Sequence, residues 1–569
     1  MNKSLSIIIL LLIFVHTTSK VITTNNLKAA LTQAVAGDII ELKSGFYRDA
    51  PYTLKSGSKG NPIKIKSASK ATVVFEGTKT SCIINGDGVS NVIIEGPMEL
   101  MEARCGVNIR NGNSITISGL TIKDTQEYGI TVSGKDNHIY NNTIYDCVLS
   151  NSHYPEDTLS GWTSCLYVFG ASYGEYSSNI IVEKNNIYNG YGEGIDIFEC
   201  DNCKVIKNNI KNAYNISIFV HESKNVIVDR NVIRVNSDRY DSYYGRACGI
   251  GLTSPSSRKL LTNIVISNNI ILSTRIGILF FSKHDEGGYD EIKILHNTLW
   301  KVKYTPIQFK YPINDPTGCE MKNNFIYVDG TKEFELKNYW SFGYNYYYNL
   351  ASVPSIYSDP TSKAAKSLDI SSIFNKIKGC DNYDTNENID INCFHPSKTP
   401  GTFKLYHSGI PSKYKIHTDY SSCTRSTSTP SIGAFEYQEG CSTGPDPDDS
   451  DVPFYEYDVK FKIKYCIPSS YDIKLSGSFC NYNIENSISM KSEGSCVYSA
   501  TIQDATAESF SYKFVLTYEN SPQSWEDDPF RKFNGPALAS LADKSASGTY
   551  ENCSYIRSGN LITLQCSWQ

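Results

Sequence analysis

Two neighbouring stretches, GIDIFE (Gly194–Glu199) and SIFVHE (Ser217–Glu222), have the same alternating form. Laid over one another, they bring Asp196 and His221 into mid-strand positions and set Glu199 against Glu222, with Glu193 just ahead of the first stretch. Tyr167, Phe169, Phe198, Phe219 and Phe281 fall at equivalent outward positions. A solvated strand side is normally Thr, Ser, Lys and Asn, so this concentration of rings points to a ligand surface. Flat rings offer apolar area to sugars, and ionisable groups among them would supply chemistry at one subsite. A glycoside hydrolase needs a carboxylic acid for the leaving oxygen and a carboxylate to attack carbon or activate water. Asp196 with Glu199, Glu222 or Glu193 would fill those roles. A lyase needs a base for the proton beside a uronate carboxylate and a cation to hold the resulting charge. His221 would be the base, with Arg246, Arg275, Lys283 or a calcium ion as the cation. An epimerase of uronate polymers would share that first proton abstraction. The alternative from a different class is a non-catalytic glycan-binding or matrix protein, in which the acids are solvated turn residues and loops cover the rings.

These residues must be positioned by a repeat. GIDIFECDNCKVIKNNIKNAYN (Gly194–Asn215) and SIFVHESKNVIVDRNVIRV (Ser217–Val235) superpose when Asn208 is laid on Asn231. The frame V-x-x-N-x-I around both recurs, with other apolar ends, at Asn142, Asn185, Asn269, Asn297 and Asn324. A repeat of this length built from β-branched strands, with no helical pattern between them, predicts a parallel β-helix. Stacking coils at about 4.8 Å buries the inward residues as columns. Ile130, Leu166, Ile195, Ile218, Ile250 and Ile278 form one such column. Thr131, Tyr167, Asp196, Phe219, Gly251 and Leu279 follow as the next, outward one. Two residues on stand Ser133, Phe169, Phe198, His221, Thr253 and Phe281. Asn at the same turn of every coil predicts an amide ladder. Loops at Asp146–Thr163, Asn236–Arg246 and Lys283–Tyr289 would wall a binding side.

The chain has 569 residues, a net charge of −5, 40 Tyr and 17 Cys. Lys and Arg are dispersed and outnumbered by Asp and Glu, which argues against nucleic acid. Met1–Ser19 reads as a secretory signal peptide, and nothing later is long and apolar enough to span a bilayer. A secreted monomer with no membrane partner is expected. The cysteines suit an oxidising compartment. Local pairs are expected at Cys380–Cys393, at Cys553–Cys566 and between two of Cys466, Cys480 and Cys496. Cys200 and Cys203 suit a structural disulfide or free turn thiols rather than zinc. An odd count leaves at least one thiol unpaired. Asn141, Asn215 and Asn552 head N-x-S/T sequons.

Asn25–Gly37 (NNLKAALTQAVAG) predicts a short amphipathic helix that caps the open end of the coils. The run L-x-x-A-L-x-x-A-x-x-G-D-x-I-x-L-x-x-G-x-Y followed by N-P-I-x-I resembles the start of secreted right-handed β-helix proteins, among them alginate-lyase-like and chondroitinase-like polysaccharide lyases. The resemblance implies that fold for the early part of the chain. Those lyases use a Lys and an Arg on these coils with a calcium site beside them, whereas Phe198 and His221 stand on the corresponding strands here. SIGAFEY (Ser431–Tyr437) resembles the closing strand of extracellular β-helix domains, after a less regular region from Tyr304 to Pro430.

A Pro/Asp/Gly/Ser linker spans 441–452. The expected plan is therefore a signal peptide at 1–19, a parallel β-helix at 20–440, this linker, and a small antiparallel β-sandwich at 453–569, an all-β protein throughout. SFSYKFV (Ser509–Val515) and SWEDDPFRKF (Ser524–Phe533) resemble the starch-binding domains of the twentieth carbohydrate-binding-module family. That resemblance implies sugar stacking by Trp525 and sugar hydrogen bonding by Lys513. Phe530 replaces the family's Asn, and Tyr482 is the nearest aromatic to its second stacking Trp. The partner implied is a polysaccharide, an α-glucan or a uronate-containing polymer.

Overall fold

The computed structural model describes residues 19–151, 163–171, 174–235, 247–254, 259–281, 288–310, 316–328, 340–349, 361–365, 373–374, 391–396, 405, 408–410, 416, 418–426, 428–436, 457–464, 472–477, 488–494, 496–505, 509–518, 521–525, 531–534, 547–550, 553–558 and 561–567. The chain divides into two compact units, Met1–Gly444 and Pro445–Gln569.

The first unit is a parallel β-helix whose coils each lay a strand on three faces. The first face runs through Cys82–Asp87, Ile130–Lys135, Ser164–Val168, Glu193–Phe198, Ile216–His221, Cys248–Thr253, Ile276–Phe281 and Thr305–Lys310. Long strands, Ser90–Ala103 and Cys105–Thr125, join the faces in the early coils. Pairing is parallel, and the register is Ile130↔Leu166↔Ile195↔Ile218↔Ile250↔Ile278. All six side chains are buried. Full burial of an Ile is worth roughly 1.5–3 kcal/mol. Repetition up the stack makes these columns the main stabilising term.

The turn between the second and third faces places a residue at positive φ immediately before each ladder Asn, for example Lys184 (52°), Lys207 (55°) and Arg230 (55°). A left-handed residue that is not Gly costs about 1–2 kcal/mol. The amide ladder offsets that cost. Asn142, Asn185, Asn208, Asn231, Asn269, Asn297, Asn324 and Asn345 run as one buried chain, each Nδ2 donating to the next Oδ1 at 2.9–3.0 Å. Each Oδ1 from Asn185 on also accepts the backbone N–H of the Asn before it. Asn345 extends the ladder one coil beyond the frames legible in the sequence.

Three expectations are corrected. The N-terminal helix is Leu27–Thr32 only, with Leu27, Ala30 and Leu31 buried. It stops early because the Val35 N–H turns to the Asp38 carboxylate (3.0 Å) and Gly37 takes φ 89°. The region after Tyr304 keeps regular coils beyond the Asn324 frame: after Phe325–Val328, Tyr346–Tyr348 and Lys363–Ala365 continue the third face. There Tyr347 fills the buried column below Ile326, where earlier coils use aliphatic residues. Ser431–Glu436 is not a strand. Its backbone bonds are single contacts, Ile432 N–H to Leu405 O, Gly433 N–H to Asn323 O and Tyr420 N–H to Ala434 O, while Ile432, Ala434 and Phe435 are buried. Buried Arg425 anchors the segment through Asn268 (2.6 Å), Gly433 O and Ala434 O, and lies 3.5 Å from Glu436.

Disulfides join Cys82–Cys105, Cys147–Cys165 and Cys200–Cys203. The first two clip residues on successive coils, a proximity that sequence spacing hides. Cys200–Cys203 takes the structural-disulfide option. Cys393, Cys423 and Cys496 are also disulfide-bonded, while Cys380, Cys466 and Cys480 lie outside the described residues. Cys319 is a buried thiol, pushed up to about 11 by burial. No described helix is long and apolar enough to cross a membrane.

The second unit has two sheets. One orders Lys491–Gly494, Val497–Ala505, Tyr457–Lys464, Leu561–Ser567, Cys553–Ser558 and Ser547–Tyr550. The other is built on Asp472–Gly477, Ser509–Tyr518 and Ser521–Trp525. Pairing is antiparallel except between Tyr457–Lys464 and Leu561–Ser567, consistent with a small sandwich. The register sets Cys553 opposite Cys566, the positions expected to pair. The linker and residues 1–18 lie outside the described residues.

Candidate functional site

The outer side of the first face carries the candidate residues, because alternate strand positions point away from the core. Coil-to-coil register sets Thr131, Tyr167, Asp196, Phe219, Gly251 and Leu279 in line. Phe198, His221, Thr253 and Phe281 form the next outward line. Ser133 stands on it in sequence but is fully buried, and its hydroxyl accepts the Asn111 N–H.

Asp196 and His221 meet, with His221 Nε2 2.9 Å from Asp196 Oδ1. Ser164 donates to the other oxygen of Asp196 at 3.2 Å. The imidazole lies between two parallel rings, Phe198 at 4.5 Å and Phe219 at 4.4 Å between centroids. Gly251 makes this possible: a Cβ there would stand 3.1 Å from the Phe219 ring and 2.8 Å from Ile216. Phe219, Leu279, Phe281 and Tyr304 pack on buried Ile216, Cys248 and Ile276.

Glu193 lies at the start of the same strand, 2 % exposed. Asn215 donates to its Oε1 at 2.7 Å, and among the described residues its Oε2 has no hydrogen-bond partner. Burial, and then the Asp196 charge, push its carboxyl up to about 7. Burial and Asp196 also raise the phenol of Tyr167. Below the unfolded value of 4.5 the protonated Glu193 stabilises the fold in full, and that contribution is lost as pH rises through about 7. Glu193→Gln mimics the protonated acid and keeps an acceptor for Asn215. It is expected to be more stable than the parent above neutrality, by up to about 3 kcal/mol. Thermal melts between about pH 5 and pH 8 should show the advantage growing with pH. A constant difference would assign the shift to another group.

Glu199 and Glu222 end adjacent strands at φ 49° and 47° and are both buried. Lys259 forms an ion pair with Glu199 at 2.9 Å, and its Nζ stands 4.0 Å over the Tyr176 ring. Glu199, Glu222 and Lys259 line a cavity of about 830 Å³, together with Asp87, Arg110 and the rings of Tyr167, Phe169 and Phe198. A second cavity of about 230 Å³ shares Arg110, Tyr167 and Phe169 and adds Arg104, Glu127 and Tyr128. Tyr128 stacks on Tyr167 at 5.6 Å, and Tyr167 on Phe169 at 5.4 Å.

The structure therefore splits the residues singled out in the sequence. Glu199, Glu222, Tyr167 and Phe198 line the larger cavity; Asp196, His221, Glu193 and Phe219 line neither. Arg275 stands over Tyr304, 5.0 Å from the ring centroid, and also lines neither cavity. Arg246 and Lys283 lie outside the described residues, as does most of each of the three wall loops. The cations of the larger cavity, Arg110 and Lys259, were not singled out from the sequence. Arg110 follows Asp87 in register, so extending the outward column to the earlier coils finds it. Lys259 follows a loop with no repeat signal. Among the described residues, no three His, Cys, Asp or Glu side chains are grouped to hold a metal ion. In the second unit the register places Trp525 opposite Val515, two residues along from Lys513. Tyr482 lies outside the described residues.

Compared with known proteins, residues 82–271 and 158–338 match the family model described as a right handed beta helix region. Solved structures of similar shape include an alginate lyase from Paenibacillus sp. str. FPU-7 (18 % identity, 53 % of this chain and 97 % of that one, TM-score 0.41). Others are the pectate lyase Pel9A (14 %, 74 % and 98 %, 0.40) and the Streptococcus pneumoniae surface protein and adhesin PfbA (14 %, 60 % and 94 %, 0.43). No curated protein matches the sequence.

Proposed function

We propose that this right-handed β-helix chain is a secreted, carbohydrate-active protein that binds a polysaccharide along the outer side of its first face and cleaves it there. One observation carries the reading: a single cavity joins three aromatic rings, two acidic residues at the same turn of adjacent coils, and two cations. Coils stack at about 4.8 Å, and retaining glycosidases hold their carboxyl pair about 5–5.5 Å apart, so Glu199 and Glu222 suit a hydrolytic pair. Glu199, already facing Lys259, takes the carboxylate role, and Glu222 the acid. The aromatic rings hold sugar faces, and Arg110 orients the chain.

Arg110 and Lys259 also favour a second chemistry. Either cation would neutralise a uronate carboxylate during elimination, with a cavity carboxylate as base. Calcium would serve the same end and belongs in the assay as a variable.

The deciding experiment incubates the protein with starch, pectate, alginate, chondroitin and β-glucans, with and without calcium. New reducing ends without ultraviolet absorbance mean hydrolysis. Absorbance from unsaturated uronate ends means elimination. Silence on every polymer, with retention on one, overturns cleavage in favour of a glycan-binding protein.

The second unit is the proposed tether, raising local substrate concentration without altering the chemistry. Trp525→Ala should weaken retention on insoluble α-glucan about tenfold or more, which is about 1.4 kcal/mol or more of binding free energy. Cleavage of a soluble substrate should be unchanged. Equal retention of variant and parent would remove the starch-like reading of this unit.

A further inference from the structure

The sequons are not equivalent in the fold. Asn215 is 7 % exposed, and its Nδ2, the atom that would carry a sugar, donates to buried Glu193 at 2.7 Å. The hydroxyl two residues on, Ser217 Oγ, is itself fully buried. Asn141 is the opposite case. It is exposed, at φ 53°, in the turn between the second and third faces. Its backbone is fully engaged, N–H to Glu183 O and carbonyl from Gly119 N–H, both at 3.1 Å. The register sets Gly119 on the coil before and Lys184 on the coil after at the same turn. Gly119 adds no side chain at that turn.

We infer that Asn141 is an N-glycan attachment site and that the fold excludes a glycan from Asn215. The inference rests on the reading that the chain enters a glycosylating secretory pathway. In the transfer, a bond forms between Asn141 Nδ2 and the anomeric carbon of an oligosaccharide carried on a lipid diphosphate. The bond from that carbon to the diphosphate oxygen breaks, and the diphosphate leaves with the electron pair and takes up the proton that the amide gives up. At Asn215 the same product would put a sugar where the Glu193 carboxyl packs. A chain modified there does not seat Ile216–His221 against Glu193–Phe198, so the folded population is the one with Asn215 bare. The glycan at Asn141 stands at the corner of the second and third faces and leaves the first face open to substrate.

The test expresses the full chain in a eukaryotic host with N-glycosylation, collects folded protein, and maps glycopeptides by mass spectrometry after enzymatic deglycosylation in heavy-oxygen water. The expected result is label at Asn141 in most molecules and none at Asn215. Asn141→Gln should remove one glycan's mass and leave turnover unchanged, whereas Asn215→Gln should remove none. Folded protein bare at Asn141, or bearing a glycan at Asn215, overturns the inference. The readout is mass, so it stands apart from whether the cavity cleaves any polymer.

Discussion

Asn208→Ala is expected to destabilise the β-helix by on the order of 5 kcal/mol, near the upper limit for a single substitution. Asn208 Oδ1 accepts from both Asn185 N (2.9 Å) and Asn185 Nδ2 (3.0 Å). Its Nδ2 donates to Val182 O, Ile206 O and Asn231 Oδ1. The residue is 1 % exposed, so water does not replace it. Each stranded buried group costs about 1–3 kcal/mol, and the truncation strands several at once. The position matters as well. A solenoid is held by nearest-neighbour interfaces, and Asn208 lies mid-ladder, so both adjoining interfaces weaken. Arg48→Ala is the control: it removes an exposed ion pair to Glu76 (2.9 Å) and should cost under about 1 kcal/mol. Chemical denaturation of the three proteins reads the contrast. A mid-ladder variant within about 1 kcal/mol of the parent would show that water or rearrangement satisfies the ladder.

Loss of the Glu199 or the Glu222 carboxyl should be the largest effect on activity. Glu199→Gln and Glu222→Gln keep side-chain volume but remove the group that donates or accepts a proton, and each should lower turnover by about 100-fold or more. Binding of the polymer, through Tyr167, Phe169 and Phe198, should persist. Asp196→Asn and His221→Ala are the informative comparison. In the structure, His221 acts as a plate between Phe198 and Phe219, and Asp196 fixes that plate. Through Phe198 they reach the cavity without lining it. Their loss is therefore expected to raise KM more than it lowers kcat. If His221→Ala and Asp196→Asn instead abolish kcat while Glu199→Gln and Glu222→Gln retain it, the chemistry belongs to the buried pair, and the cavity is only its approach.

Much of this arrangement was legible in the residues because a β-helix repeats its geometry. Once Ile195 and Ile218 are placed on one column, Asp196, Phe219, Phe198 and His221 follow, since parallel pairing without bulges preserves register. The Asn frame was legible for the same reason, and it failed only at Asn345, where YNYYYN carries tyrosines in place of the aliphatic residues that marked earlier frames. Lys259 was not legible. It follows a loop, and nothing in its neighbourhood repeats. Nor were the Cys82–Cys105 and Cys147–Cys165 bridges, whose partners are neighbours only because coils stack.

By itself, then, the sequence determined the parallel β-helix, its inward and outward columns and its buried ladder, because period and side-chain alternation are properties of the chain. It also determined that Asp196, His221, Glu199 and Glu222 share one side. Tertiary structure alone decided which of them face open space. It closed the aromatic rings over Asp196 and His221, buried Glu193 beside Asn215, and brought Lys259 and Arg110 to the two glutamates. The reason is that accessibility, ion pairing and desolvation depend on what every neighbouring coil contributes at a point. No single repeat carries that information.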